Sequence, residues 1–386
     1  MRVTLLSKAL VVGAYQRKCE LIAAHPDVEL TVLVPPAWGT QRLECAHMQG
    51  YDLRIIPIRL NSNFHLHHYP TLAAELQRSQ PDVLHIDEEP YNLATWDAVR
   101  CAMRPRTASL VTRTLFFSWQ NIHRTYPPPF SWMERDVLRK ADAAIVGNRE
   151  AEQVWRAKGF TRAIHVIPQF GVDEHAFTPA PHDLPEGGPD PALGHLPSPP
   201  RGATTRFTLG YAGRLEHAKG VDLLIRAFAQ LSPQTRLVIA GTGEAESALR
   251  SLAAQLGIAD HIDWRGAISS TQMPTFYRSL DTLALPSRTR PNWKEQFGRV
   301  LIEAMACGIP VVGARSGEIP NVIGEAGLLF DEGDVDSLAT CLRRLFEQPA
   351  LRDDLIQRGR ARVLDHFTMT RIADQTVDVY RGLSCK

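Results

Sequence analysis

The sequence predicts an α/β protein of two doubly wound, Rossmann-like domains facing each other across a cleft. Three observations carry this. Short apolar runs alternate with amphipathic segments over most of the length, the pattern of parallel strands with crossover helices. The alternation breaks over residues 177–206, where FTPAPHDLPEGGPDPALGHLPSPPRGATTR is dense in proline and glycine, and then restarts. A length of 386 residues is enough for two separate cores.

In the first domain, residues 1–176, strands are expected at Arg2–Leu6, Glu29–Val34, Val83–Ile86, Ser109–Phe117, Ala143–Val146 and Ile164–Ile167. A helix from about Trp132 has a capping box in Ser131 and Glu134. Gly159 supplies a helix stop before Ile164. Residues 177–206 read as a linker. In the second domain, residues 207–367, strands are expected near Phe207–Ala212, Arg236–Ala240, Ile262–Arg265, Thr282–Leu285, Pro310–Val312 and Gly327–Phe330. Residues 368–386 close the chain with an amphipathic helix, its apolar set Ile372, Val377, Val379 and Tyr380, expected to pack back on the first domain.

Composition narrows the function classes. A net charge of +1 with no lysine-arginine block argues against nucleic-acid binding. Six scattered cysteines without a Cys-x-x-Cys pair read as reduced cytosolic thiols. The opening MRVTLLSKALVVGAY is too broken for a signal peptide and too short to span a bilayer. The expectation is a cytoplasmic protein, with peripheral contact at the inner face of a membrane left open.

The most informative segment is EQFGRVLIEAMACGIPVVG, Glu295 to Gly313. It places one carboxylate before a helix and a second, Glu303, within it. Gly298 stands at the turn into the helix, and Gly308-Ile309-Pro310 closes the helix into a Val-Val strand. A helix N-terminus attracts anions through unpaired amides and the aligned peptide dipoles. Carboxylates accept hydrogen bonds from hydroxyls. The segment therefore offers an anion seat between two hydroxyl readers, which suits a nucleotide-sugar. The second domain opens with GYAGRLEHAKGVDLLIRAF, where Arg214 and Lys219 follow a strand end at Gly213. Two such cations suit a diphosphate, arginine binding in bidentate fashion and lysine as a compact charge; alone they would equally be solvated surface groups.

These motifs resemble those of family-4 (group 1) retaining glycosyltransferases with the GT-B fold. The resemblance is carried by GRLEHAKG, by Glu-x7-Glu from Glu295 to Glu303, and by VIPQFGVDEHAFTP from Val166 to Pro179. It implies a nucleoside-diphosphate sugar as donor, linked to UDP or GDP, and a hexose moved to an acceptor hydroxyl with retention. Glu295 would then contact hydroxyls of the transferred sugar. Amides of Phe297, Gly298 and Arg299 would hold phosphate and sugar oxygens, and Glu303 the ribose. Arg214 and Lys219 would neutralise the leaving diphosphate. Arg265-Gly266 resembles the loop that meets the base, and is equally readable as a strand-end turn. No cofactor or metal is expected, the nucleotide-sugar being a substrate.

The first domain departs from the family. Trp119, Gln120 and Asn121 stand where relatives carry a histidine near a strand end; Gln120 or Asn121 is expected to line the cleft, and His123 is the weaker replacement. A neutral amide can hydrogen-bond a sugar but cannot shuttle a proton. The family's glycine pair after the opening strand is missing, so Lys8, Gly13 and Tyr15 either shape the acceptor pocket or turn the chain. Its Gly-Gly-x-Pro-Glu is altered to Ser316-Gly317-Glu318-Ile319-Pro320-Asn321. Asp87-Glu88-Glu89 reads first as a solvated turn before Pro90, with acceptor recognition by Asp87 and Glu88 the alternative. His65, His67 and His68 lack a completing ligand set for zinc and read as a polar loop. Asp334-Val335-Asp336 reads as a helix cap rather than a metal clamp.

Two rival functions stay open: a nucleotide-sugar epimerase, with acid and base carboxylates in the first domain, and a non-catalytic nucleotide-sugar-binding protein. A dinucleotide dehydrogenase is disfavoured because no Gly-x-Gly-x-x-Gly follows a strand. Base, sugar, acceptor and oligomeric state are not readable.

Overall fold

The computed structural model describes residues 1–103, 111–180 and 206–384. The chain divides into two compact units, one of Met1–Gly171 joined by the segment from Met369 onward, the other of Val172–Thr368. Most of the proposed linker (residues 181–205), the expected strand start at Ser109, and Cys385 lie outside the described residues.

Unit 1 runs β1 (Arg2–Leu6), α1 (Arg17–Ala23), β2 (Glu29–Val34), β3 (Asp52–Ile55), α2 (Leu72–Ser79), β4 (Val83–Ile86), α3 (Leu93–Ala102), β5 (Arg113–Ser118), α4 (Phe130–Lys140), β6 (Ala143–Val146), α5 (Arg149–Ala157) and β7 (Ala163–Val166). The strands form a parallel seven-stranded sheet in the order β3-β2-β1-β4-β5-β6-β7. The edge strand β3 was not anticipated, because its residues DLRI offer too little apolar signal and are only partly buried. Central strands are buried throughout, and their uninterrupted apolar runs are what a sheet covered on both faces requires.

The capping box does not form. The helix begins at Phe130, so Ser131 lies inside it and no side chain caps it. Glu134 instead accepts from Lys158 Nζ at 2.6 Å. Gly159, at φ +89°, lies just past α5 as expected.

Unit 2 runs β8 (Phe207–Ala212), α6 (Val221–Phe228), β9 (Thr235–Ala240), α7 (Glu246–Gln255), β10 (Ile262–Gly266), α8 (Met273–Arg278), β11 (Thr282–Leu285), α9 (Arg299–Ala306), β12 (Val311–Ala314), α10 (Ile319–Ile323), β13 (Leu328–Phe330), α11 (Val335–Glu347) and α12 (Pro349–His366). Its parallel sheet has the order β10-β9-β8-β11-β12-β13. The order reverses at β8, the kind of switch point beyond which open α/β sheets bind ligands. Asp334 caps α11 through Oδ1, accepting from the amides of Asp336 and Ser337 at 2.9 Å each.

The last helix, α13 (Met369–Ser384), belongs to unit 1. Ile372, Val377, Val379 and Tyr380 are buried, in one core with Val3, Cys19 and Ile22. The Tyr380 hydroxyl lies 2.7 Å from His85 Nδ1, tying the helix to β4. No helix among the described residues is long and apolar enough to cross a membrane.

Candidate active site

In unit 2 six of the expected residues, Lys219, Glu295, Phe297, Gly298, Arg299 and Glu303, gather at α9, while Arg214 and Arg265 do not. Gly298 is its N-cap at φ +81°, and a Cβ there would stand 2.9 Å from Leu285 Cδ2. Only glycine adopts this conformation cheaply, and no side chain caps the helix. Phe297 is buried with its ring edge-on to Phe367 at 5.8 Å, which anchors the turn.

Glu295 is 8% exposed. Its Oε2 accepts from Lys219 Nζ at 2.8 Å and from Ser287 Oγ at 2.8 Å. Lys219 also lies over the Trp293 ring, 4.7 Å from its centroid. The loop carrying Ser287 is held to the Lys219 turn by Arg288, whose amide donates to Ala218 O at 2.8 Å and whose guanidinium meets Asp222 at 2.6 Å. Gly220 permits this approach, since a Cβ on it would fall 2.0 Å from Pro286 O. The altered Ser316–Asn321 segment backs the site: the Glu318 amide donates to Glu295 O at 3.1 Å.

Glu303 lies about one turn into α9 and is equally buried. Tyr277 OH donates to its Oε2 at 2.7 Å, and Arg299 Nε lies 3.0 Å from Oε1. Burial pushes the Glu303 carboxyl pKa up, with Arg299 and the tyrosine hydrogen bond opposing. Arg214 stands apart from this cluster; its side chain is 73% exposed and pairs with Glu216 at 2.8 Å. Its backbone is fixed, because Tyr211 OH donates to Arg214 O at 2.9 Å and Gly213 N to Ala240 O at 3.0 Å. Arg265 is turned along its strand to Asp263 at 2.7 Å.

In unit 1 a second polar cluster sits at the carboxyl ends of β1, β4 and β5. The solvated turn expected for Asp87-Glu88-Glu89 is overturned: all three are buried. Each acid has donors from a neighbouring strand end. Asp87 accepts from Ser7 Oγ at 2.6 Å and from Gln169 Nε2 at 2.9 Å. Glu88 pairs with Lys8, whose ammonium lies over the Trp38 and Phe64 rings; burial lowers its pKa to about 8. Glu89 accepts from Ser118 Oγ at 2.6 Å and the Trp119 amide at 2.8 Å; burial raises its pKa to about 7 despite these bonds. A carboxylate run reads as surface in sequence, and the facing hydroxyls, amides and Lys8 ammonium make burial tolerable.

Gln120 and Asn121 are buried beside this cluster. Tyr126 OH donates to Gln120 Oε1 at 3.2 Å, and Asn121 Nδ2 to Glu150 Oε2 at 3.2 Å. His123 is exposed beyond the strand end. Tyr15 stacks on Phe170 at 4.0 Å. The polar-loop reading fails for His67, which is 0% exposed, with Nδ1 3.1 Å from the carbonyls of Asn63 and Phe64 and Nε2 3.4 Å from Glu88; burial drops its pKa to about 3. Among the described residues no group of three or more His, Cys, Asp or Glu is disposed to hold a metal.

Sequence reasoning missed Ser287, Tyr277, Trp293 and Gln169. Ser287 had a signal, its position just past a strand end; Tyr277, inside a helix, had none.

Residues 199–362 match the family profile described as Glycosyl transferases group 1, and residues 20–175 match Glycosyltransferase Family 4. The GDP-mannose-dependent alpha-(1-6)-phosphatidylinositol monomannoside mannosyltransferase of Mycolicibacterium smegmatis is 34% identical over 205 residues, 47% of this chain and 54% of that protein. The D-inositol 3-phosphate glycosyltransferase of Stackebrandtia nassauensis is 32% identical over 280 residues, 66% of this chain and 57% of that one. The matches thus span little more than half the length of these relatives. Among solved structures, sucrose-phosphate synthase from Thermosynechococcus elongatus superposes with a TM-score of 0.70 at 20% identity over 99% of each chain. Anabaena HepE in complex with UDP and glucose gives 0.69 at 19%, covering 99% of this chain and 100% of that one. At such identities the likeness shows the fold, which is GT-B. With both family profiles matched in succession along that fold, the chain belongs to the group 1, family 4 glycosyltransferases.

Proposed function

We propose that this protein is a retaining, metal-independent hexosyltransferase. It moves a hexose from a UDP- or GDP-linked sugar to a hydroxyl of a glycan, lipid-linked or small-molecule acceptor, in the cytoplasm. The observation that carries the reading is the buried Lys219–Glu295–Ser287 constellation beside the uncapped opening of α9.

In this reading the bond between the anomeric carbon and the phosphate oxygen breaks, its electron pair staying on the diphosphate. A new carbon–oxygen bond forms to the acceptor, whose proton passes to the departing phosphate. Amides of Gly298 and Arg299, with Lys219, face the growing negative charge; donors fixed in advance stabilise a transition state without reorganising. Arg214, exposed and backbone-anchored, swings from Glu216 onto the diphosphate, and the two cations stand in for a metal ion. Glu295 reads sugar hydroxyls, Glu303 the ribose, and Arg265-Gly266 the base edge. On unit 1, Gln120 and Asn121 are the catalytic candidates, while Lys8, Tyr15, Asp87, Glu88 and His123 are the acceptor-side candidates. The GDP-mannose in one relative's name and the UDP bound to a structural neighbour support this donor class.

The test is a panel of UDP- and GDP-sugars, read by release of free nucleoside diphosphate with and without acceptors and with a chelator. Acceptor-dependent release insensitive to the chelator, lost in Glu295→Ala, supports the reading. The buried Asp87–Glu89 carboxylates favour the epimerase as second reading; an epimerised sugar nucleotide formed from donor alone would establish it instead. Nucleotide-sugar binding with no turnover would make the protein a non-catalytic binder.

A further inference from the structure

A groove of about 670 Å³ runs between α3 and α4 of unit 1, on helices that carry none of the residues assigned above. Two tryptophans, Trp96 and Trp132, line it with Arg100, Arg135, Arg139 and Lys140. Among its lining residues Asp136 is the sole acid, so the groove holds three cations in excess on a chain whose total net charge is +1.

The one carboxylate organises the cations rather than cancelling them. Asp136 accepts from Trp96 Nε1 at 3.1 Å, from Arg139 at 2.5 Å and from Lys140 at 2.7 Å. Arg100 lies over the Trp96 ring, 4.4 Å from its centroid. Arg139 keeps 74% of its side chain in solvent. Trp132 is 59% exposed, a large apolar surface left open beside Pro129 and Met133. Charge alone would suit any anion. An open indole framed by cations suits a surface that is negative outside and apolar just beneath, because tryptophan settles at headgroup level and arginine reaches phosphates while its stem lies on apolar surface.

We infer that the α3–α4 groove is a docking surface for an anionic phospholipid bilayer, with Trp132 at the acyl boundary and Arg100, Arg135 and Arg139 on the headgroup phosphates. The inference is independent of the proposed catalysis and needs no assumption about the acceptor.

The experiment is flotation of the full chain with vesicles of phosphatidylcholine alone, or of phosphatidylcholine and phosphatidylglycerol in equal parts. The wild type floats with the mixed vesicles only and is released by high salt. The double variant Arg135→Glu, Arg139→Glu lowers partitioning at least about tenfold, since each basic residue near an anionic surface is worth roughly fivefold. Trp132→Ala lowers it several-fold with the salt dependence kept, and because that side chain is exposed its melting temperature stays at the wild-type value. This second variant keeps the test standing if the charge reversal unfolds the chain. The tryptophan emission that distinguishes wild type from Trp132→Phe shifts to the blue on vesicle addition. A wild type that stays at the bottom of the gradient overturns the inference. So does equal flotation of folded variants, or binding to a soluble polyanion such as heparin without binding to vesicles.

Discussion

Lys219 Nζ and Glu295 Oε2 lie 2.8 Å apart, although 76 residues separate them in the chain. The pair unites the turn after β8 with the approach to α9, and Ser287 supplies a second donor to the same oxygen. In the proposed reading the ammonium is thereby fixed where a diphosphate gains charge, and the carboxylate meets the sugar.

Removing either partner should therefore damage chemistry more than folding. Lys219→Ala and Glu295→Gln are each expected to lower kcat by about two orders of magnitude or more, the effect of losing one preorganised electrostatic contact. Steady-state release of nucleoside diphosphate measures it. A fall confined to KM would assign the pair to ground-state binding.

Tyr277→Phe removes the 2.7 Å hydrogen bond to Glu303 without changing shape. If Glu303 reads the ribose, the variant should weaken donor affinity about tenfold, near the 1.5 kcal/mol typical of a hydrogen bond to a charged group, with kcat little changed. Calorimetric titration with UDP and GDP measures the shift.

Gly298→Ala forces a Cβ into the left-handed region against Leu285. The expected cost is about 1–2 kcal/mol in stability, with weaker diphosphate binding as the α9 amides move. Urea unfolding and nucleotide titration on the same sample report both effects. Alanine tolerated with full affinity would remove Gly298 from the site.

Glu89 sets a pH dependence. Its folded pKa, about 7, lies above its ordinary value of 4.5, so the native state holds this proton more tightly than the unfolded chain. The resulting stabilisation is complete below about pH 4.5 and is lost as pH rises through about 7, at most roughly 3 kcal/mol across the window. Glu89→Gln lacks the titration. Wild-type stability relative to this variant should fall between pH 5 and 8, and a difference constant over that range would contradict the assignment.

Most of the fold was legible because buried parallel strands announce themselves as apolar runs; β1, β2, β4, β6, β8 and β11 lie where the runs do. The half-buried edge strand Asp52–Ile55 carries no such run and passed unseen. Local patterns misled at Ser131, whose capping geometry lost to a helix already begun at Phe130. In unit 2 the candidate site could be proposed from sequence because a positive-φ glycine, a helix start and two carboxylates lie within one segment. In unit 1 it was not legible. Asp87, Glu88 and Glu89 owe their burial to Ser7, Lys8, Ser118 and Gln169, partners brought together only by sheet order.

The most direct measurement is a crystal structure of the protein with an unhydrolysed nucleotide-sugar bound. The account predicts diphosphate oxygens within hydrogen-bond reach of the Gly298 and Arg299 amides and of Lys219, with Glu295 on the sugar and Glu303 on the ribose. A well-ordered donor seated away from the start of α9, touching neither Lys219 nor Glu295, would contradict it.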